Sequence, residues 1–158
     1  MHHLKPGDCA PSFSALDQSG VEHNLADYKG QRLVIYFYPR DNTPTCTVQA
    51  CNLRDGLDDL KESGIEVLGV STDSAAKHVK FINKQNLSFD LLVDEDHTIH
   101  EAFGVWGEKK FMGRTFNGTH RTTFLIDEAG VIAAVIRKPK AKIHTEQILE
   151  GYGLKTAV

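Results

Sequence analysis

Residues 34–55 read VIYFYPRDNTPTCTVQACNLRD, and the order of their parts decides the fold. Val34, Ile35, Tyr36, Phe37 and Tyr38 are β-branched or aromatic, a run that predicts a strand buried on both faces and ended by Pro39. Asp41, Asn42, Thr43 and Pro44 are turn residues. Thr43 followed by Pro44 then predicts a helix start, with a hydroxyl at the N-cap and a proline at the first helical position, where its missing N–H costs nothing. In that frame Cys46 is the third helical residue, beside unpaired backbone N–H groups and the positive end of the helix dipole. A free cysteine, with a pKa of about 8.5, is only a few per cent thiolate at neutral pH; a helix N-terminus and a nearby arginine together raise that fraction. The blander reading of any one cysteine is an inert, buried, small apolar residue. The helix start, the polar loop before it and a second cysteine at Cys51 favour a nucleophile instead.

Along the expected helix, Cys46, Ala50, Leu53, Leu57 and Leu60 recur at spacings of four and three and so share a core-facing side. Cys51 lies off that side and falls with Asp55, Asp58 and Glu62 on the polar one. An intact helix holds the Cα atoms of Cys46 and Cys51 roughly 8 to 9 Å apart, beyond the reach of about 7 Å that a disulfide tolerates. If the two cysteines pair, the first turns of the helix must unwind.

Working outward, the helix is expected to close at Ser63-Gly64, followed by a buried strand over 65–71, parallel to the first because a helix lies between them. A helix is expected over 74–85 with Ala75, Val79 and Ile82 inward, a short strand over 91–93 and a short helix over 98–103. Residues 124–126 and 131–136, joined by Asp127-Glu128-Ala129-Gly130, give a hairpin signal. Ile143, Ile148 and Leu149 mark a closing helix that ends near Gly151 or Gly153. Before the decisive stretch, residues 1–11 form an arm with a Pro6-Gly7-Asp8 turn, and Phe13, Ala15 and Leu16 begin a short strand or hairpin that turns at Ser19-Gly20. Composition and period together give an α/β class without repeat or linker, and a single domain over residues 1–158.

The chain has 158 residues, 41% of them hydrophobic and 25% charged, as in an ordinary globular protein. A net charge of −3 indicates no nucleic-acid, acidic-lipid or membrane partner. Three cysteines are too few, and odd in number, for a secreted disulfide scaffold, and suit a reducing compartment. The start MHHLKPGD lacks an apolar signal segment and no apolar run approaches a membrane span, so a cytoplasmic protein is expected.

Pro39, Thr43 and Cys46 form a P-x-x-x-T-x-x-C signature, and Cys51 adds a C-x-x-x-x-C spacing. On these residues the chain resembles the peroxiredoxins, in particular the bacterioferritin comigratory protein (PrxQ-like) branch. LKPGDCAPSFSALDQSG at 4–20, GVWGEKKFMGRTF at 104–116 and RTTFLIDEAGVI at 121–132 are similar to that branch in order and spacing. The resemblance implies a thioredoxin-like fold, a central mixed β-sheet flanked by helices with an N-terminal strand or hairpin extension. It implies a thiol peroxidase acting on hydrogen peroxide and organic hydroperoxides. In that reading Cys46 becomes a sulfenic acid and Cys51 closes an intramolecular disulfide that thioredoxin reduces, with no metal or other cofactor and with a monomeric protein. Arg121 is singled out by the resemblance as the active-site arginine, ahead of Arg54 and Arg40. Thr43 would cap the helix and hydrogen-bond the thiolate or peroxide, and Pro39 would shield the thiolate. Many relatives carry a glutamate where Gln49 stands, which leaves a hydrogen-bonding role there and removes a charge.

Two rival functions are weaker. A thioredoxin-type oxidoreductase normally carries C-x-x-C, and a zinc-holding or chaperone protein needs a better ligand set than three scattered cysteines. His97 and His100 beside Asp94, Asp96 and Glu101 suggest a metal cluster, against the plainer reading of a solvated helix start with acids in its first turn. Arg137, Lys138, Lys140 and Lys142 read as a solvated loop, Trp106 as either a pocket wall or a core residue, and Cys9 as a surface thiol without a role.

Overall fold

The computed structural model describes residues 3–154, so residues 1 and 2 of the expected arm and residues 155–158 lie outside the description. The chain opens with a hairpin, β1 (Ser14–Leu16) and β2 (Glu22–Asn24), which turns at Gly20 with φ 78°. β3 (Arg32–Phe37) is the spine. It leads into α1 (Pro44–Asp55), α2 (Leu57–Glu62) and the parallel partner β4 (Ile65–Ser71). Then follow α3 (Ala75–Gln85), β5 (Asp90–Val93), α4 (Thr98–Ala102), a second hairpin of β6 (Trp106–Phe111) and β7 (Arg114–Thr119), β8 (Thr122–Ile126), β9 (Ile132–Ile136) and α5 (His144–Gly151). The main sheet has the order β5-β4-β3-β8-β9, parallel on one side of β3 and antiparallel on the other. This is the thioredoxin-like arrangement of a mixed central sheet flanked by helices, with the N-terminal hairpin as its extension.

Alternation along β3 divides the core. Val34 and Tyr36, with Tyr38 just beyond the strand, pack against α1, α2 and α5, whereas Leu33, Ile35 and Phe37 pack against Ile99 and Phe103 on the other face. Every one of these strand residues is buried, as the unbroken apolar run requires. Each contributes roughly 1.5–3 kcal/mol by leaving water. No helix among the described residues is long and apolar enough to cross a membrane.

Four expectations need correction. The cysteine helix is interrupted at Gly56, between α1 and α2, where the backbone lies so close to α5 that a Cβ would overlap the Thr145 side chain. In α3 the inward residues are His78 and Phe81, with Ile82 half-buried, while Val79 is 39% exposed. The buried polar side chain His78 takes the place that hydrophobic period assigns to Val79, because it finds hydrogen-bond partners inside. Around α4, Asp94 is buried and accepts from Ile99 N and His100 N at 3.0 and 2.8 Å. His100 is likewise buried, with Nδ1 on Asp94 and Nε2 on Thr119 Oγ1 at 2.6 and 2.9 Å. His97 stacks on Trp106 at 3.8 Å, so the inner side of this segment, with Asp94 and His100, is a packed corner. The outer side is the expected solvated helix start, with Asp96, Thr98 and Glu101 exposed, and the segment is not among the groups of metal-ligating side chains found in the described residues. Finally, residues 106–119, which the sequence pattern leaves without strands, form the β6–β7 hairpin through the turn at Met112 (φ 51°) and Gly113 (φ 78°). Arg137, Lys138, Lys140 and Lys142 are all exposed.

Candidate functional site

β3 ends at Phe37, and after Pro39 the chain turns through Asn42, whose φ of 62° is left-handed, before α1 begins at Pro44. Cys46 is the third residue of that helix and is 1% exposed, on the side facing the sheet. Because β8 runs antiparallel to β3, with Thr122 opposite Phe37, the residue entering β8 stands beside the exit of β3. That residue is Arg121. Its Nη2 donates to Cys46 Sγ at 2.8 Å and its Nη1 to Gln49 Oε1 at 3.2 Å. Gln49, one turn along α1, is also buried, and its Nε2 has no acceptor among the described residues. The guanidinium stands within hydrogen-bond distance of the sulfur, and its planar fork, shared between Cys46 and Gln49, fixes the approach direction.

A cleft of about 670 Å³ opens beside Arg121, lined among others by Pro39, Arg40, Thr43, Trp106, Lys109, Phe111, Phe116 and Arg121 itself. The β6–β7 hairpin thus supplies one wall and the loop before α1 the other. Trp106 is therefore a wall residue. Lys109 reaches in from β6 and donates to Thr119 O at 2.8 Å; burial, and next the Arg121 cation, hold its ammonium below the usual lysine range. Beneath the helix, burial, followed by the negative potential of Cys46 and Asp41, pushes the Tyr36 phenol well above its ordinary range, so Tyr36 stays neutral.

The structure brings Pro39, Thr43, Cys46 and Arg121 to one place, and it separates the other candidates. Arg54 is turned away, with Nη1 on Gln85 O at 2.6 Å and Nε on Asp55 at 2.9 Å. Arg40 is exposed at the cleft rim. Thr43 occupies the N-cap position without capping through its side chain: its hydroxyl donates back to Arg40 O at 2.9 Å, which closes the loop instead. Cys51 is not on a solvated face with Asp55. It is half-buried and its thiol donates to Gln85 Oε1 at 3.4 Å, at the end of α3. All three cysteines are free, and Cys9 is exposed. Sequence reasoning missed Lys109, Phe111 and Phe116 as cleft residues; the Met112-Gly113 turn was the available signal.

Residues 6–135 match the AhpC/TSA family. Over 149 residues, 94% of this chain and 96% of the relative, the sequence is 53% identical to peroxiredoxin Bcp of Escherichia coli strain K12. Among solved structures it is similar to a Xylella fastidiosa PrxQ variant with a TM-score of 0.88 and 32% identity, covering 95% of this chain and 96% of that one. It is also similar to the Xanthomonas campestris bacterioferritin comigratory protein, a structure described for alkyl peroxide reduction, with a TM-score of 0.84 and 33% identity over 89% of this chain and 90% of the other.

Proposed function

We infer the steps of catalysis from one premise: the chain belongs to the AhpC/TSA family and is a peroxiredoxin, a thiol-dependent peroxidase of the Bcp kind. The observation that carries the assignment of its groups is the 2.8 Å contact between Arg121 Nη2 and Cys46 Sγ at a helix N-terminus beside an open cleft. The Cys46 thiolate attacks the distal oxygen of a hydroperoxide, the O–O bond breaks, and the alkoxide or hydroxide leaves with a proton as alcohol or water. Cys46 becomes a sulfenic acid. Arg121 holds the thiolate and the peroxide oxygen. Gln49, a neutral carboxamide, orients that guanidinium without neutralising it. Thr43 has its proton engaged on the Arg40 carbonyl, so its free lone pairs accept from the hydroperoxide O–H, and Pro39 shapes the wall.

Cys51 then attacks the Cys46 sulfur and expels the sulfenic oxygen as water, leaving a disulfide. The intact helix keeps these residues roughly 8 to 9 Å apart at Cα, so the first turns of α1 must unwind. An external dithiol protein of thioredoxin type restores both thiols. The shallow apolar face beside α1, with Pro44, Val48 (40% exposed) and Ile143 (39% exposed) next to Lys140 and Lys142, offers that protein a landing place at the segment that unwinds. The chemistry is that of thiols alone, without prosthetic group or metal. With both cysteines on one helix a monomer suffices, and the free thiols suit the cytoplasm.

Replacing Cys51 with serine tests the second half of this scheme. Cys51→Ser leaves the first oxidation of Cys46 within about twofold of the parent rate and removes turnover driven by thioredoxin, while a small dithiol still supports peroxide consumption. Thioredoxin-linked turnover at the parent rate would mean that another group resolves the sulfenic acid.

A further inference from the structure

Asp41, inside the loop that runs from Pro39 to Thr43, is held by three hydrogen bonds from three different parts of the fold. Its Oδ1 accepts from Tyr38 Oη beyond β3 at 2.6 Å, its Oδ2 meets His78 Nδ1 on α3 at 2.6 Å, and its own backbone N donates to Asp73 Oδ2 at 2.7 Å. Asp73 is fixed in turn by Ser71 Oγ at 2.8 Å and faces Lys77 Nζ at 4.0 Å. The side chains of His78 and Asp41 are 0% and 2% exposed.

The partners of His78 settle its proton count. Nε2 lies 2.9 Å from the carbonyl of Leu92 on β5, and a carbonyl only accepts, so Nε2 carries a hydrogen. Nδ1 faces a carboxylate oxygen at 2.6 Å, a contact that requires a second proton between them. Without it, two lone pairs would face each other in a dry interior. By contrast, His144 offers Nδ1 to Gln147 Oε1 and accepts at Nε2 from the Thr123 hydroxyl, which is the pattern of a neutral ring.

We propose that His78 is a positioning residue for the peroxidase: the proton it shares with Asp41 locks the loop over residues 39–43 onto α3, and loss of that proton in alkaline solution releases the loop and eases the unwinding of α1. The catalytic consequence rests on the disulfide reading given above; the lock itself does not. The loop carries Pro39, Arg40 and Thr43 of the cleft and joins directly to the first turn of α1. What fixes Asp41 therefore fixes the upstream anchor of the segment that must melt. The groups facing the pair are Tyr38 from the end of β3, Asp73 and Ser71 from the end of β4, Lys77 from α3 and the Leu92 carbonyl from β5. Burial disfavours a charged His78, and the Asp41 hydrogen bond and charge outweigh it, so its pKa is raised. A raised histidine value places the stabilising contact fully in force below about pH 6.5 and removes it as pH climbs through the higher folded value.

The test is carried out on reduced full-length protein. Nitrogen NMR shifts of the His78 ring are recorded at pH 7. Amide exchange over residues 40–46, corrected for its intrinsic pH dependence, is followed from pH 6 to 9.5 in the parent and in His78→Gln. A doubly protonated ring, and protection that falls at least tenfold with rising pH in the parent but stays level in His78→Gln, support the lock. In oxidised samples, disulfide formation per Cys51 thiolate quickens over the same range in the parent alone. A singly protonated ring with an ionised Asp41, or protection in the parent indifferent to pH, or the same profile in His78→Gln, overturns it. If His78→Gln does not fold, the ring shifts and the parent profile decide alone. If exchange behaves as stated and no disulfide forms, the lock stands and the disulfide reading is the one that fails.

Discussion

Cys46→Ser reduces peroxide consumption to the uncatalysed background with any reductant, protein or small dithiol. The hydroxyl of serine remains protonated near neutral pH, and neither the Arg121 guanidinium nor the start of α1 makes it a comparable nucleophile. The change is close to isosteric in a buried position, so the fold is retained and the loss is chemical. The check is a stopped-flow peroxide assay beside circular dichroism and a thermal melt. A folded variant that still turned over peroxide would move the nucleophile to Cys51 or Cys9.

The second large effect is expected at Arg121. Arg121→Ala slows oxidation of Cys46 by about 10²-fold, the scale seen when one preorganised donor is removed from a developing charge. It also leaves Gln49 Oε1 without its donor in a buried site. Arg121→Lys recovers only part of the rate, because a single ammonium cannot serve Cys46 Sγ and Gln49 Oε1 in the same fixed plane. Single-turnover measurement of sulfenic acid formation reads this step without interference from recycling. An unchanged rate would transfer the role to Arg40, since Arg54 is occupied by Gln85 and Asp55.

Much of the architecture is written locally. The run from Val34 to Tyr38, the Thr43-Pro44 helix start and the spacing of Ala50, Leu53, Leu57 and Leu60 state the spine, the turn and the packed side of the cysteine helix, because each depends on neighbours a few residues away. The thioredoxin-like plan and the branch came from resemblance to known sequences. What stayed hidden depends on distant partners. His78 owes its burial to Asp41, 37 positions earlier, and an apolar count along α3 therefore favours Val79. The β6–β7 hairpin is exposed along much of both strands, so it lacks the apolar alternation that betrays a half-buried strand, and its turn uses Met112 where asparagine is usual. Position alone assigns the Thr43 hydroxyl to the cap, whereas the nearby Arg40 carbonyl takes its hydrogen bond. For Cys51, helix geometry gives the correct side of α1, but only the tertiary fold places the end of α3 against it.

The central claim is that peroxide joins Cys46 to Cys51. Its most direct test is the intact mass and peptide map of the fully reduced protein before and after one equivalent of hydrogen peroxide. The account predicts a rapid loss of about 2 Da, two hydrogens, located in a disulfide between Cys46 and Cys51. Survival of both thiols, or reaction confined to Cys9, would contradict it.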